Sequence, residues 1–262
     1  MKPRLALLYA LPADRLGPAV AHCAAHPWPT GWDDGTYRLA AEHAFHGDGL
    51  LIRFLDFEPL GTAPTGTPDA DSLYAALEYA AGLPGVAEAD LPLARAAGVC
   101  PAPDPAQDPA PPGPEQLRAA HRKMAVMPFA GRITEDRLLP GPDVPRRLAA
   151  LRYPARPGRG EAIQDALTGG RDLPVNGRPA SAGTSIALAS TSLFRRDDTV
   201  VRLIEVAGDI SAGMAHLRRT ASKGPGAQRL AGLLLPGYDL RTEDGFDRFL
   251  ATGTLTPVTG HA

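Results

Sequence analysis

The chain has few of the features that indicate a bound metal, a disulfide framework or a membrane segment. It has only two cysteines, Cys23 and Cys100, and their spacing matches neither a metal site nor a redox motif. No apolar run approaches the roughly 20 residues that span a bilayer. The apolar N-terminal stretch is interrupted by Pro12 and Asp14, too early for a signal peptide. We therefore expect free thiols and a soluble, cytoplasmic protein.

Motifs that bind cofactors or activate nucleophiles are also missing. There is no Walker loop, HExxH or paired CxxC, and Gly158-Arg-Gly160 is not a dinucleotide fingerprint. The GTS sequence at 183–185 lacks the glycine that completes a nucleophile elbow. A net charge of -2 gives no electrostatic reason to expect nucleic acid or membrane as partner. These absences favour acid, base and positioning chemistry in an apolar pocket, with no cofactor and no metal.

One segment of the chain occurs twice. Residues 44–56, AFHGDGLLIRFLD, align without a gap with residues 193–205, LFRRDDTVVRLIE. Half of the other ten positions are conservative: four apolar pairs within 51–55 and 200–204, and Asp56 with Glu205. The identical pairs are Phe45 with Phe194, Asp48 with Asp197, and Arg53 with Arg202. This pattern predicts an internal duplication.

The flanks of the repeated segment agree with a duplication. Upstream, Arg4 to Leu8 lies over Arg147 to Leu151, and downstream 117–131 lies over 246–260. The order of elements is therefore the same in both halves, and the length differences fall in loops. The sequence predicts a first unit at 1–131, a linker at 132–146 and a second unit at 147–262.

Each unit reads as strand, helix, strand, turn, strand, helix, strand. The turn at 46–49 contains glycine and aspartate, as tight hairpins require, and 70–83 has helical periodicity. In the second unit the corresponding helix is predicted at 210–221. The βαββαβ order is typical of a ferredoxin-like unit. The predicted class is α+β.

A single unit of this kind leaves one apolar sheet face uncovered, which is unfavourable. Two tandem units remove this problem if their sheets face each other. We therefore expect an intramolecular dimeric α+β barrel around a central cavity, as a monomeric pseudo-dimer or a homodimer.

Histidine is distributed unequally between the units. Five of the seven histidines lie in the first unit, which suggests that this half kept the titratable groups. His26 and His43 are the candidate bases. His43 is next to Glu42 on a strand, so the two side chains point to opposite faces unless a bulge intervenes.

The repeated arginines are the most informative charges. Arg53 and Arg202 each lie in mid-strand, with apolar neighbours on the same face. Each either reaches a surface pair, for example with the turn aspartates, or projects into the cavity to stabilise an enolate or a carboxylate.

Aromatic residues crowd the loop after the first helix. Trp28, Trp32 and Tyr37 lie beside His26, where a flat aromatic ligand could stack. The alternative is a loop that packs on its own core. With Glu42, these three residues are the candidate substrate-binding set.

The second unit resembles a known protein family. Ser192-Leu-Phe194, Glu205 and Val258-Thr-Gly-His261 are similar to blocks of the SchA/CurD-like proteins of actinobacterial spore-pigment clusters and, more broadly, the TcmI-type aromatic polyketide cyclases. Related cyclases often carry Leu-Pro-His before the second strand, where this chain has Leu173-Pro-Val175. That acid/base role cannot be transferred to Val175, and His26 is the nearest equivalent by topology.

The resemblance implies a dimeric α+β barrel and work on an intermediate of a type II polyketide synthase. The interpretation is a cofactor-independent aromatic polyketide cyclase or aromatase of pigment or antibiotic biosynthesis. His26 or His43 would remove a proton between two carbonyls, and Arg53 or Arg202 would stabilise the enolate. One alternative is a cofactor-independent monooxygenase that oxidises an anthrone-type ring to a quinone. Another is a non-catalytic binding partner of the synthase. The expected partners are the polyketide intermediate and the synthase carrier protein.

Overall fold

The computed structural model describes residues 3–61, 70–83, 85–100, 114–120, 126–127, 129–134, 146–168, 187–207 and 225–258. The chain forms two compact units. Unit 1 comprises Met1–Pro128 with Thr256–Ala262, and unit 2 comprises Phe129–Leu255. The division by sequence at 131 and 147 stays a prediction, and the predicted helix at 210–221 lies outside the described residues.

Unit 1 begins with a strand and a helix and continues with a hairpin and further helices. Its strands are β1 (Arg4–Ala10), β2 (Tyr37–Gly47), β3 (Leu50–Pro59) and β4 (Val126–Met127). Its helices are α1 (Ala13–Ala25), α2 (Ala70–Ala80), α3 (Val86–Ala96) and α4 (Pro114–Ala120). Helix α3 is an element that the sequence analysis did not predict.

Unit 2 has the same core arrangement. Its strands are β5 (Phe129–Thr134), β6 (Arg146–Pro154), β7 (Ala187–Arg196) and β8 (Thr199–Ala207), followed by the first part of β9 (Thr254–Pro257). Its described helices are α5 (Gly160–Thr168), α6 (Pro225–Leu230) and α7 (Glu243–Gly253).

The strand orders identify both units as ferredoxin-like. In unit 1 the order is β4-β1-β3-β2, and in unit 2 it is β9-β6-β8-β7, with every pairing antiparallel. Each unit carries one more edge strand. Thr256 and Pro257 pair with β2 in unit 1, and β5 pairs with β7 in unit 2. The predicted α+β class is confirmed.

The strand registers support the duplication and correct its flanks by one residue. Leu7 is opposite Arg53 and Leu151 is opposite Arg202, so Leu151 corresponds to Leu7. The sequence overlay instead pairs Leu151 with Leu8. The downstream overlay is wrong by the same amount, because Met127 and Leu255 hold equivalent positions opposite Ala6 and Ala150. The overlay was based on residue similarity, which does not determine strand register. The register decides which face of the sheet each side chain occupies.

A β-bulge occurs at the same place in both hairpins. It lies between Leu39 and Ala41 in β2 and between Leu188 and Ser190 in β7. The extra residue interrupts the alternation of side chains, so that Tyr37 and Leu39 share a face with Glu42. The bulge thus selects which neighbour, Glu42 or His43, faces the helices.

The hairpin turn is also repeated in its backbone conformation. Asp48 and Asp197 both have φ of 49°, the left-handed region that aspartate tolerates better than most residues. The identity of these two aspartates therefore has a local steric cause.

The turn of unit 2 anchors the start of α5. The Asp198 carboxylate accepts hydrogen bonds from the backbone N–H groups of Gly158 and Gly160, at 2.7 and 2.9 Å, and these bonds lower its pKa. Gly160 lies so close to the turn that an added Cβ would collide with the carbonyl oxygen of Asp197. Only glycine allows this approach.

Replacement of Gly160 by alanine should destabilise unit 2 by about 1–3 kcal/mol, the usual cost of overpacking. The matched control is Gly17→Ala in α1, where an added Cβ meets nothing within 4 Å and should stabilise by about 0.4–1 kcal/mol. Urea unfolding followed by circular dichroism measures both. Equal effects of the two substitutions would contradict the close approach at Gly160.

Candidate functional site

Arg53 lies in the interior of unit 1, on the side of the sheet that faces the helices. Its side chain is fully buried. Its Nη2 donates to the carbonyl of Ala89 in α3 and to the carbonyl of His26 at the end of α1, each at 3.2 Å. The surface pair that the sequence allowed is therefore not formed, and the opposite face, which would line a cavity between facing sheets, does not hold this guanidinium.

Two buried carboxylates surround the Arg53 guanidinium. Nη1 donates to Glu42 Oε1 at 2.6 Å, and Nε lies 3.2 Å from Asp90 Oδ1. Both acidic side chains are almost completely buried. Burial alone would lower the pKa of Arg53, but the Asp90 and Glu42 carboxylates more than offset this effect and raise it.

Glu42 is held in place by a second contact. Its Oε2 accepts a hydrogen bond from the backbone N–H of Trp28 at 2.6 Å. The carboxylate thus connects β2 to the segment after α1 while its other oxygen binds Arg53. Such charge-assisted bonds are stronger than neutral ones. The predicted substrate-binding residue Glu42 is therefore engaged within the protein.

Tyr9 is the fourth polar group of this interior cluster. It is fully buried, and burial together with the neighbouring Asp90 carboxylate raises the pKa of its hydroxyl well above the ordinary value. Tyr9 therefore stays protonated at neutral pH. We call Tyr9, Glu42, Arg53 and Asp90 the unit 1 polar cluster.

Helix α3 supplies Asp90 and also an exposed carbonyl for a histidine. Pro92 lies inside α3 and has no N–H, so the carbonyl of Glu88 lacks its usual intrahelical donor. His22 Nε2 lies 3.1 Å from that oxygen and, as donor, leaves Nδ1 with the lone pair. Burial lowers the pKa of His22, which favours the neutral ring.

The candidate base His26 lies at the surface beside His22. The two rings stack with their centroids 4.5 Å apart, and His26 is exposed. Its carbonyl, not its ring, contacts Arg53. Whether the His26 ring takes part in catalysis stays a prediction.

His43 lies on the opposite face of the sheet from Glu42, as strand alternation requires. Its Nε2 is 3.8 Å from Asp56 Oδ2. Asp56 in turn forms a buried, two-pronged ion pair with Arg4. The two candidate bases His26 and His43 therefore belong to different environments of unit 1.

The aromatic residues after α1 pack on the core of their own unit. Trp28 and Tyr37 are buried in it. The half-buried Trp32 packs against Phe57 and Tyr79, with centroid distances of 6.0 and 5.9 Å. This arrangement matches the second of the two sequence interpretations, a loop that packs on its own core.

Unit 2 has a corresponding arginine with a different partner. Arg202 shares its face with Val200 and Ile204, which pack with α5, so it also lies on the helix-facing side. Its Nε donates to Thr191 Oγ1 at 2.7 Å. Within the described part of the chain, no carboxylate pairs with this guanidinium.

Four polar residues of these clusters were not predicted as site residues from the sequence. Tyr9, His22, Asp90 and Thr191 carry no motif, and Asp90 is 37 positions from Arg53. Two signals were present. Asp90 is an acidic residue between the apolar Ala89 and Leu91. Tyr9 and Tyr153 occupy equivalent register positions, each two residues from the leucine opposite the arginine.

In unit 2 a guanidinium held by a neutral hydroxyl can stabilise an anion, whereas in unit 1 the buried guanidinium is already matched by two carboxylates. In the described ranges, no group of three or more histidine, cysteine or acidic side chains is placed to hold a metal ion. In the same ranges, no helix is long and apolar enough to cross a membrane.

Taken together, the chain is an α+β protein of two ferredoxin-like units, each with an arginine on the helix-facing side of its sheet. Residues 146–262 match the model of the SchA/CurD like domain. This match begins with β6 and confirms the resemblance found in the second unit. No curated protein matches the chain.

Two solved structures show a weak similarity over nearly the whole chain. One is from Lactobacillus acidophilus NCFM and is provisionally described as a monooxygenase; it has 9% identity, a TM-score of 0.39, and coverage of 98% of this chain and 95% of that chain. The other is an anthrone oxidase-like protein with 10% identity, a TM-score of 0.38, and coverage of 89% and 86%. At such TM-scores neither similarity bears on the activity of this chain.

Substitution of Arg53 by methionine should destabilise unit 1 by about 3–5 kcal/mol, because it leaves two buried carboxylates without their cation. The control is Arg38→Met, which removes an exposed pair with Glu58 and should cost less than about 1 kcal/mol. Urea unfolding measures both. A triple change of Glu42, Arg53 and Asp90 to leucine or methionine should recover much of the loss. A loss below about 1 kcal/mol for Arg53→Met would show that the cluster is not structural.

His22 should make stability depend on pH. Its folded-state pKa lies below the ordinary 6.5, so its contribution is fully present above pH 6.5 and is lost as the pH falls through the folded pKa. Relative to His22→Gln, the wild type should therefore lose thermal stability between pH 7 and pH 5. From pH 7 to 8.5 the difference should be constant. A difference that does not change with pH at all would contradict the lowered pKa.

Proposed function

We propose that this protein is an enzyme of aromatic, type II polyketide biosynthesis that cyclises a reactive poly-β-ketone intermediate without a cofactor. The observation that carries the proposal is the SchA/CurD like domain over residues 146–262. The sequence resemblance associates that domain with aromatic polyketide cyclisation. The half-buried guanidinium of Arg202 in that domain has a chemistry that fits this substrate class.

The chemistry of the substrate defines what the protein must contribute. A carbon between two carbonyl groups loses a proton readily and forms an enolate, which then attacks a distant carbonyl of the same chain. The protein must hold the two carbons close together and stabilise the developing negative charge. A positioned guanidinium, away from bulk water, performs the second task.

Arg202 is suited to this role by its contacts. It is half-buried, and its Nε donates to Thr191. This bond leaves the two terminal nitrogens available to a ligand. A planar guanidinium with two adjacent N–H donors matches the oxygens of an enolate or carboxylate. In our proposal Arg202 stabilises the enolate. His26 and His43 of unit 1 stay candidate bases from the sequence alone.

The test is reconstitution of a minimal type II polyketide synthase with and without the purified protein. We expect a change in the ring pattern of the aromatic product, without oxygen uptake and equally under anaerobic conditions. An unchanged product profile would support a non-catalytic partner of the synthase. Stoichiometric oxygen uptake with quinone formation would instead identify an oxidase.

A matched pair of variants links the activity to the site. Arg202→Gln should lower the rate of ring formation by about 10²-fold, as expected for the loss of one charge-stabilising group. Arg241→Gln, which removes an exposed pair with Asp239, should leave the rate unchanged. Equal rates for the two variants would exclude Arg202 from the reaction.

A further inference from the structure

The two arginines occupy the same place in their hairpins but face different partners. In β2 and β3, Glu42 is opposite Leu55 and Ala44 is opposite Arg53. In β7 and β8, Thr191 is opposite Ile204 and Leu193 is opposite Arg202. Each of these residues of unit 2 lies 149 positions after its equivalent in unit 1. Thr191 therefore stands where unit 1 has Glu42.

In unit 1 every nitrogen of the guanidinium lies within 3.2 Å of a protein oxygen. Nη1 binds Glu42, Nε lies beside Asp90, and Nη2 donates to two backbone carbonyls. The side chain has no exposed surface. An incoming anion would have to displace a buried carboxylate and would be repelled by the second one.

In unit 2 the corresponding partner is neutral. Thr191 accepts one hydrogen bond, from Arg202 Nε, and brings no charge. Among the described residues the Arg202 side chain forms no other hydrogen bond or ion pair, and it is partly accessible. Its positive charge is therefore not offset by any described carboxylate.

We propose that Arg202 is an anion-binding site for the enolate or carboxylate of an aromatic polyketide, and that Glu42 permanently occupies the equivalent site of unit 1. The chain therefore binds one substrate anion, in unit 2, although its fold is duplicated. The chemical nature of the ligand rests on the proposed function; the location of the anion site does not. Thr191 is a positioning residue, because it fixes Nε and leaves the two terminal nitrogens for the ligand.

This assignment differs from that suggested by histidine content. The excess of histidines in unit 1 favours an active first half, whereas the charge balance favours the second. The two criteria differ because the number of histidines says nothing about which groups neutralise Arg53 and Arg202. In unit 1 Arg53 is part of the core. In our proposal Arg202 of unit 2 binds a ligand.

The test uses a simple aromatic acid, 2-hydroxybenzoate, as the probe, with binding followed by ligand-observed NMR and calorimetry on the full chain. We expect one equivalent bound by the wild type. Arg202→Gln should weaken binding at least about tenfold, since a charge-assisted contact is lost. Thr191→Glu should weaken it similarly, because it brings the carboxylate of unit 1 to the same position.

Two further variants separate the positioning role from general damage. Thr191→Ser retains the hydroxyl and should bind like the wild type, whereas Thr191→Val should bind several-fold more weakly. Glu42→Gln, which alters the unit 1 polar cluster, should leave affinity and stoichiometry unchanged. Circular dichroism and thermal unfolding confirm that each variant is folded, and if Thr191→Glu does not fold, Arg202→Gln and Thr191→Val decide.

The result that would overturn the proposal is unchanged binding by Arg202→Gln, or loss of binding by Glu42→Gln with unchanged binding by Thr191→Glu. Absence of probe binding by the wild type would also overturn it. Failure of the cyclase assay is separate from this outcome: a protein that binds the probe through Arg202 but does not alter the ring pattern retains the anion site and loses the proposed function.

Discussion

A guanidinium that is fully removed from water must be matched by negative charge within the protein, and in unit 1 Arg53 meets this constraint with Glu42 and Asp90. The desolvation penalty of an unmatched buried ion is several kcal/mol. Because the partners come from β2 and α3, and the carbonyls from α1 and α3, the constraint fixes the sheet and two helices in one arrangement. The bulge in β2 contributes to this arrangement, because it places Glu42 on the side of the sheet that faces the helices.

The duplication separates scaffold from chemistry. Strand order, hairpin register, bulge and turn conformation are the same in both units, so backbone geometry has been retained. The polar groups placed on that backbone have diverged: a carboxylate beside one arginine, a hydroxyl beside the other. The two units thus differ in the polar groups around the equivalent arginine, although the strands that carry it are the same.

Local patterns predicted the class and the hairpins well, since alternation and turn residues are encoded within a few positions. They did not predict α3, because Pro92 reads as a break within it, nor the partner of Arg53, because Asp90 lies far away in sequence. The face occupied by Glu42 depends on a bulge that no residue type announces. Thr191 was overlooked since hydroxyls are common on strands, and its importance emerges only from comparison with Glu42.

The terminal strands do not fall within the same boundaries in the sequence repeats and in the compact units. The chain passes from unit 1 to unit 2 after Pro128 and returns after Leu255, so β5 completes unit 2 although it precedes the matched domain. A fragment of residues 146–262 would leave the edge of β7 unpaired, and an open edge invites aggregation. The boundaries of the repeats therefore do not coincide with the boundaries of the compact units.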